Sequence, residues 1–210
     1  MDVTRVVTGI EELDKKRYKI YINNEFAFVL YKGEVARYRI QIDNEIDEKL
    51  YGFIKNELLS KRAKKRCLNL LQKKPYTEYK LREKLTVGHY PQDIIDEAID
   101  YVKSFHYVDD YDYACQYIFY HKEMESKRKI EEKLMHKGIH RETIMLALED
   151  AYSEEEQQEI EFQQAKRFLQ KKKYDVETMD QKEKQKIYAF LVRKGISSSV
   201  IKKAMALQEY

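Results

Sequence analysis

Proline is almost missing from this 210-residue sequence, with two residues, and glycine is scarce, with six. So few chain breakers exclude a loop-rich β architecture and point to long helices. No uninterrupted apolar run exceeds six residues (26–31 and 187–192). A membrane-spanning helix needs about 20, so no membrane span is expected. The first residues, Met1-Asp2-Val3-Thr4-Arg5, lack the basic segment and apolar stretch of a secretory signal. Only two cysteines occur, Cys67 and Cys115. Both fall inside helical patterns and read as buried free thiols, which with no secretory signal suggests a cytoplasmic protein.

Catalytic constellations are missing too. The glycines never fall two within four residues, which excludes a glycine-rich phosphate loop. His136 and His140 are four apart, but Gly138 between them ends the helix and separates them as metal ligands. Asp109-Asp110-Tyr111-Asp112 groups carboxylates that suit the start of a helix better than a two-metal site. The expectation is a protein that is not an enzyme and carries no cofactor and no metal.

Charge, by contrast, is abundant and ordered. The formal net charge is +3. Residues 1–53 sum to −1, residues 54–84 to +8, residues 85–163 to −11 and residues 164–203 to +8. Two basic blocks flank an acidic middle. Basic stretches are the usual footprint for polyanions. Each block also admits a plainer reading, as a solvated helix face.

The pattern of apolar residues divides the chain. In residues 17–22, Tyr18, Ile20 and Ile22 alternate with Lys19 and Tyr21. Asn23-Asn24 then supplies a tight turn, and Phe26, Phe28 and Leu30 alternate with Ala27 and Val29. This predicts a β-hairpin. Residues 33–40 fit either a short helix or a third strand. From about Ile46 the pattern is helical. Leu59, Ala63, Cys67, Leu70 and Leu71 form an apolar stripe, with Lys61, Lys64 and Lys65 behind it and Arg62 and Arg66 on a flank.

A repeat follows. Leu85, Leu134 and Leu191 align, and so do Ile94-Ile95, Thr143-Ile144 and Val200-Ile201. Gly88, Gly138 and Gly195 sit between the two apolar segments, as helix-ending residues with positive φ, although Gly88 falls one position early. A longer helix precedes each pair, at residues 58–72, 111–122 and 155–173. Asp109, Ser126 and Ser197 are candidate N-caps. The expected fold is mainly α: tandem three-helix repeats in an elongated array behind a small N-terminal β-hairpin region. The boundaries fall at 1–53, 54–107, 108–153 and 154–210.

The candidate binding residues are the cations of the two blocks. The first holds Lys61, Arg62, Lys64, Lys65, Arg66, Lys73, Lys74, Lys80, Arg82 and Lys84, interleaved with Tyr76 and Tyr79. The second holds Lys166, Arg167, Lys171, Lys172 and Lys173, followed by Lys182, Lys184 and Lys186, with Tyr174 and Tyr188 nearby. Lysine and arginine contacts to phosphates, with aromatic stacking beside them, hold single strands without reading sequence. The acidic middle could instead meet a basic protein surface.

Several segments resemble the RecX family, bacterial regulators of the RecA recombinase. Val108-Asp109-Asp110-Tyr111-Asp112-Tyr113-Ala114 is similar to the segment that opens that family's second unit. Tyr76-Thr77-Glu78-Tyr79-Lys80-Leu81-Arg82-Glu83-Lys84-Leu85 is similar to a stretch of its first. Lys129-Ile130-Glu131-Glu132-Lys133-Leu134-Met135-His136-Lys137-Gly138-Ile139 resembles its Ile-x-x-x-Leu-x-x-Lys-Gly-Ile pattern, which Leu191-Val192-Arg193-Lys194-Gly195-Ile196 echoes. The likeness covers about residues 58–207. One departure is Glu123-Met124-Glu125-Ser126, acidic where the family often has a basic, glycine-rich turn. The resemblance implies a regulator that binds the RecA filament on single-stranded DNA and inhibits its ATPase and strand exchange in recombination and DNA repair. A monomer is expected. Two other classes compete: a stand-alone single-stranded DNA-binding protein, and an enzyme such as a nuclease or ATPase, for which the sequence shows no site; a helical protein–protein adaptor is the plainer reading behind both.

Overall fold

The computed structural model describes residues 4–206. They fold as two compact units that part between Val108 and Asp109.

The first unit opens with three strands, β1 (Arg5–Asp14), β2 (Arg17–Ile22) and β3 (Glu25–Tyr31). After helix α1 (Lys32–Arg37) comes a two-residue strand, β4 (Glu45–Ile46). The sheet is antiparallel in the order β3-β2-β1-β4. The predicted hairpin is therefore the outer half of a larger sheet. Its turn uses Asn23 and Asn24 at φ 49° and 67°, the left-handed pair that a two-residue hairpin loop needs. Residues 32–37 settle the choice left open by the sequence in favour of a helix. One alternation fails. Ile20 pairs with Phe28 but Tyr21 pairs with Phe26, so Ala27 is an extra residue. The bulge takes Phe26 off the core face, leaving it 43% exposed and edge-on to Tyr21.

A continuous helical rod follows: α2 (Glu48–Gly52), a π-helical segment (Phe53–Leu59) and α3 (Ser60–Leu71). The buried apolar residues along it are Ile54, Leu59, Ala63, Cys67 and Leu70. The step from Ile54 to Leu59 is one residue too long for an α-helical stripe. Hydrogen bonds from i to i+5 absorb the extra residue and keep both side chains in one core. Then come α4 (Glu78–Val87), capped by Thr77 Oγ1 accepting from the Lys80 backbone, and α5 (Gln92–Ser104). Sheet and helices share that core, in which Ile20, Phe28 and Leu30 join Ile54, Leu59, Leu81, Leu85 and Ile99.

The second unit holds α6 (Asp110–His121), α7 (Lys127–His136) and α8 (Arg141–Ala151) around Ala114, Ile118, Ile130, Leu134 and Leu148. It also holds α9 (Glu154–Lys171), α10 (Gln181–Arg193) and α11 (Ser198–Ala206) around Leu169, Leu191 and Ile201. Asp109 caps α6, accepting from the backbone N–H groups of Tyr111 (2.8 Å) and Asp112 (3.1 Å). Ser126 occupies the N-cap position of α7, but its side chain makes no capping bond. Cys67 is buried as expected, whereas Cys115 is only half-buried.

The repeat is visible in one hydrogen bond made three times. The carbonyls of Leu85, Leu134 and Leu191 accept from the N–H groups of Tyr90, Ile139 and Ile196, each at 3.3 Å. This is the helix-ending bond that spans five residues and needs a left-handed residue inside it. Gly138 and Gly195 fill that place at φ 83° and 87°. In the first repeat it is His89, at φ 60°, and not Gly88, at φ −75°. Gly88 is small for another reason: a Cβ there would lie 2.9 Å from the Tyr90 ring and 3.0 Å from the Leu85 carbonyl.

Candidate nucleic-acid interface

Helix α3 forms because its run of Lys, Arg, Ala and Leu favours helix and contains no Gly or Pro. Its apolar stripe faces the core. Its solvent side presents Lys61, Lys65, Arg66 and Asn69, and Gln72, Lys73 and Lys74 continue past its end. Cations at a helix C-terminus also meet the negative end of the helix dipole.

The ten predicted cations of the first block do not act alike. Six are engaged within the unit. Lys61 pairs with Glu57 at 2.9 Å. The Arg62 guanidinium binds the Glu34 carboxylate and lies 4.7 Å from the centre of the Tyr31 ring. Lys64 donates to Glu97 at 2.7 Å, and this bond holds the Glu97 carboxyl below its ordinary range. Lys80 donates to Glu83 at 2.8 Å, with the same effect on Glu83. Arg82 binds both Glu78 and Asp96. Lys74 lies 4.9 Å from the centre of the half-buried Tyr76 ring. Lys65, Arg66, Lys73 and Lys84 are exposed and form no ion pair with any described residue. Lys74, although over a ring, also lacks a carboxylate partner among the described residues. The positive charge without a carboxylate partner among the described residues is thus the back of α3 and the turn after it, with Lys84 on α4.

The second block gathers at the end of α9. Lys166 lies over Phe162 at 5.0 Å, and Lys172 over Phe190 at 4.9 Å. Arg167 donates to the Glu123 carbonyl at 3.4 Å. Lys171 and Lys173 are exposed, with no ion-pair partner among the described residues. Two cations outside the predicted set join them: Lys203 over Phe162 at 5.2 Å and Lys194 over Phe190 at 5.3 Å. The aromatic companions are therefore phenylalanines. Tyr174 is buried and Tyr188 packs against the core. In the sequence, Lys194 and Lys203 lie 21 or more residues beyond Lys173, so no local pattern joins them to the block.

Much of the acidic middle is used internally. Glu161, buried, accepts from the Ser197 N–H at 2.9 Å and from Gln157 at 3.1 Å. Glu125 pairs with Lys133 at 2.5 Å. His136 ends α7 and His140 precedes α8, on separate elements. Among the described residues no three His, Cys, Asp or Glu side chains gather as a metal site. No helix of the described residues is long and apolar enough to cross a membrane.

The repeated helical units and their cation-rich helix ends define a modular helical-repeat protein. Family models match it in two places, the first three-helix domain of RecX over residues 63–101 and the third over residues 159–205. The chain is 31% identical over 206 residues to the regulatory protein RecX of Clostridioides difficile, spanning 95% of this chain and 94% of that one. It is 29% identical over 210 residues to the regulatory protein RecX of Caldanaerobacter subterraneus, spanning 99% and 100%. A crystal structure of regulatory protein RecX superposes with a TM-score of 0.65 at 24% identity, over 96% of this chain and 99% of that one. The RecX structure from Lactobacillus salivarius gives 0.61 at 22% identity, over 70% and 95%. The chain belongs to the RecX family of regulatory proteins.

Proposed function

We propose that the chain binds the RecA filament on single-stranded DNA and inhibits its ATPase and strand-exchange activities. Family membership supports the RecA partnership. The single observation that carries the DNA contact is the solvent side of α3 and its following turn, where Lys65, Arg66, Lys73 and Lys74 have no carboxylate partner among the described residues. Such cations are available to phosphates, and displaced counterions then favour binding. Lys171, Lys172 and Lys173 supply a second contact of the same kind. The regulator works without chemistry of its own.

The test is RecA ATPase on single-stranded DNA, titrated with this chain at two salt concentrations. Substoichiometric inhibition is the expected result, because one docked molecule affects many RecA subunits. No effect, or inhibition only when the chain coats the DNA, overturns the reading. The second reading, a stand-alone single-strand binder, draws on the same unpaired cations. It predicts tight, steeply salt-dependent binding in the absence of RecA.

A further inference from the structure

We propose that three aromatic residues at the end of α5, Tyr101, Phe105 and Tyr107, form a stacking platform for the bases of single-stranded nucleic acid. The inference rests on the DNA contact proposed above and adds to it a site for bases as distinct from phosphates.

Helix α5 turns Ile94, Ile95, Ala98, Ile99 and Val102 into the core. Tyr101 lies on the flank of that stripe. Beyond the helix, His106 adopts φ 54°, its N–H donates to the Lys103 carbonyl at 2.8 Å, and the Tyr107 N–H donates to the Val102 carbonyl at 3.0 Å. This closed turn folds Tyr107 back onto Phe105. Their rings are nearly parallel, at 17°, with centroids 5.7 Å apart. Tyr101 meets Phe105 at 5.1 Å and 61°.

The platform is held in place yet open. Phe105 is 53% exposed and Tyr107 55%. Aromatic faces this accessible, and already fixed by backbone hydrogen bonds, lose little freedom when a base lies on them. The platform sits on the helix packed against α3. Lys64, whose Nζ donates to Glu97, also lies 5.2 Å from the centre of the Tyr101 ring, and the unpaired Lys65 and Arg66 follow it on α3. Open rings on the element that flanks a cationic helix suit a single strand, since every base has a π-face.

The experiment measures the full chain on two labelled strands of equal length, oligothymidylate and an abasic backbone. The native chain is expected to bind the base-bearing strand about tenfold more tightly or better. Phe105→Ser with Tyr107→Ser removes that preference and leaves the affinity for the abasic strand unchanged. Phe105→Trp keeps the preference, and its indole, alone in a chain without native tryptophan, is quenched when oligothymidylate is added. Equal binding of both strands by the native chain, or a preference that survives the double substitution, overturns the inference. If reversing Lys65, Arg66, Lys73 and Lys74 then abolishes binding to both strands, the phosphate contact stands without the platform. If the double substitution spares DNA and abolishes RecA association, the rings are a protein-docking face and the inference fails. If no form of the chain binds either strand, the DNA contact fails and the platform with it.

Discussion

Arg62 and Glu34 tie the first helical repeat to the N-terminal sheet region. The two side chains bind each other with only 21% and 19% of their surfaces exposed. The same guanidinium lies over the Tyr31 ring, and its Nη1 sits 3.4 Å from the Val29 carbonyl. Arg62 is thus structural, although it sits in the middle of a basic run. Arg62→Ala is expected to destabilise the first unit by about 1–3 kcal/mol, since it leaves the mostly covered Glu34 carboxylate with only the Tyr31 backbone N–H as a partner among the described residues. DNA affinity stays the same. Urea unfolding and a DNA titration on the same variant decide the matter; a normal midpoint with weakened DNA binding would reverse the assignment.

The unpaired cations make the opposite prediction. Reversing Lys65, Arg66, Lys73 and Lys74 to Glu leaves the fold intact, because none has a carboxylate partner among the described residues. It weakens single-stranded DNA binding and lowers the slope of log K against log salt by about 3 units if all four meet phosphates. An unchanged slope shows that this surface is only solvated.

Two glycines separate backbone strain from chain entropy. At Gly195, φ is +87° and a Cβ would meet Ser126 Oγ at 3.0 Å and Arg128 Cβ at 3.1 Å. Gly195→Ala should cost about 1–3 kcal/mol. Gly33, inside α1, has nothing within 4 Å of a built Cβ. Gly33→Ala should gain about 0.4–1 kcal/mol. Thermal unfolding of the two variants is expected to shift in opposite directions.

The two thiols should differ in reactivity. Burial pushes the Cys67 thiol up to about 11, so it stays protonated in the native protein at neutral pH. Folding favours the protonated form. The contribution is therefore complete below the ordinary thiol range and is lost as pH rises through about 11. A thiol reagent at neutral pH should modify one cysteine, the half-buried Cys115, and reach the second only on unfolding. Two rapid equivalents in the native state would contradict this.

Helices were legible in the sequence because their apolar stripes are regular, and the β2–β3 hairpin because Asn23-Asn24 signals its turn. Strand β1 was not, because its exposed positions carry Glu11, Glu12 and Asp14, which pair with Lys19, Lys32 and Arg17. Those charges hide a strand that only its partners reveal. The candidate site was legible as composition and not as chemistry. Both basic blocks could be seen, but which cations were spent could not. Arg62 meets Glu34 28 residues away, Lys64 meets Glu97 33 away and Arg82 meets Asp96 14 away. Likewise Gly88 marked the first repeat's turn, while the left-handed residue was its neighbour His89.

The π-helical segment makes the rod at the start of the first repeat a place where chain length can vary. Its wide turn accommodates the five-residue step between the buried Ile54 and Leu59. A chain lacking the exposed Asn56 would bring that step to four, the ordinary helical interval. Glu57 and Lys61 would keep their spacing. Removing a residue from a helix usually rotates everything beyond it out of register. At this point the deletion would relax the π turn into plain α-helix, so the fold tolerates the loss of one residue here.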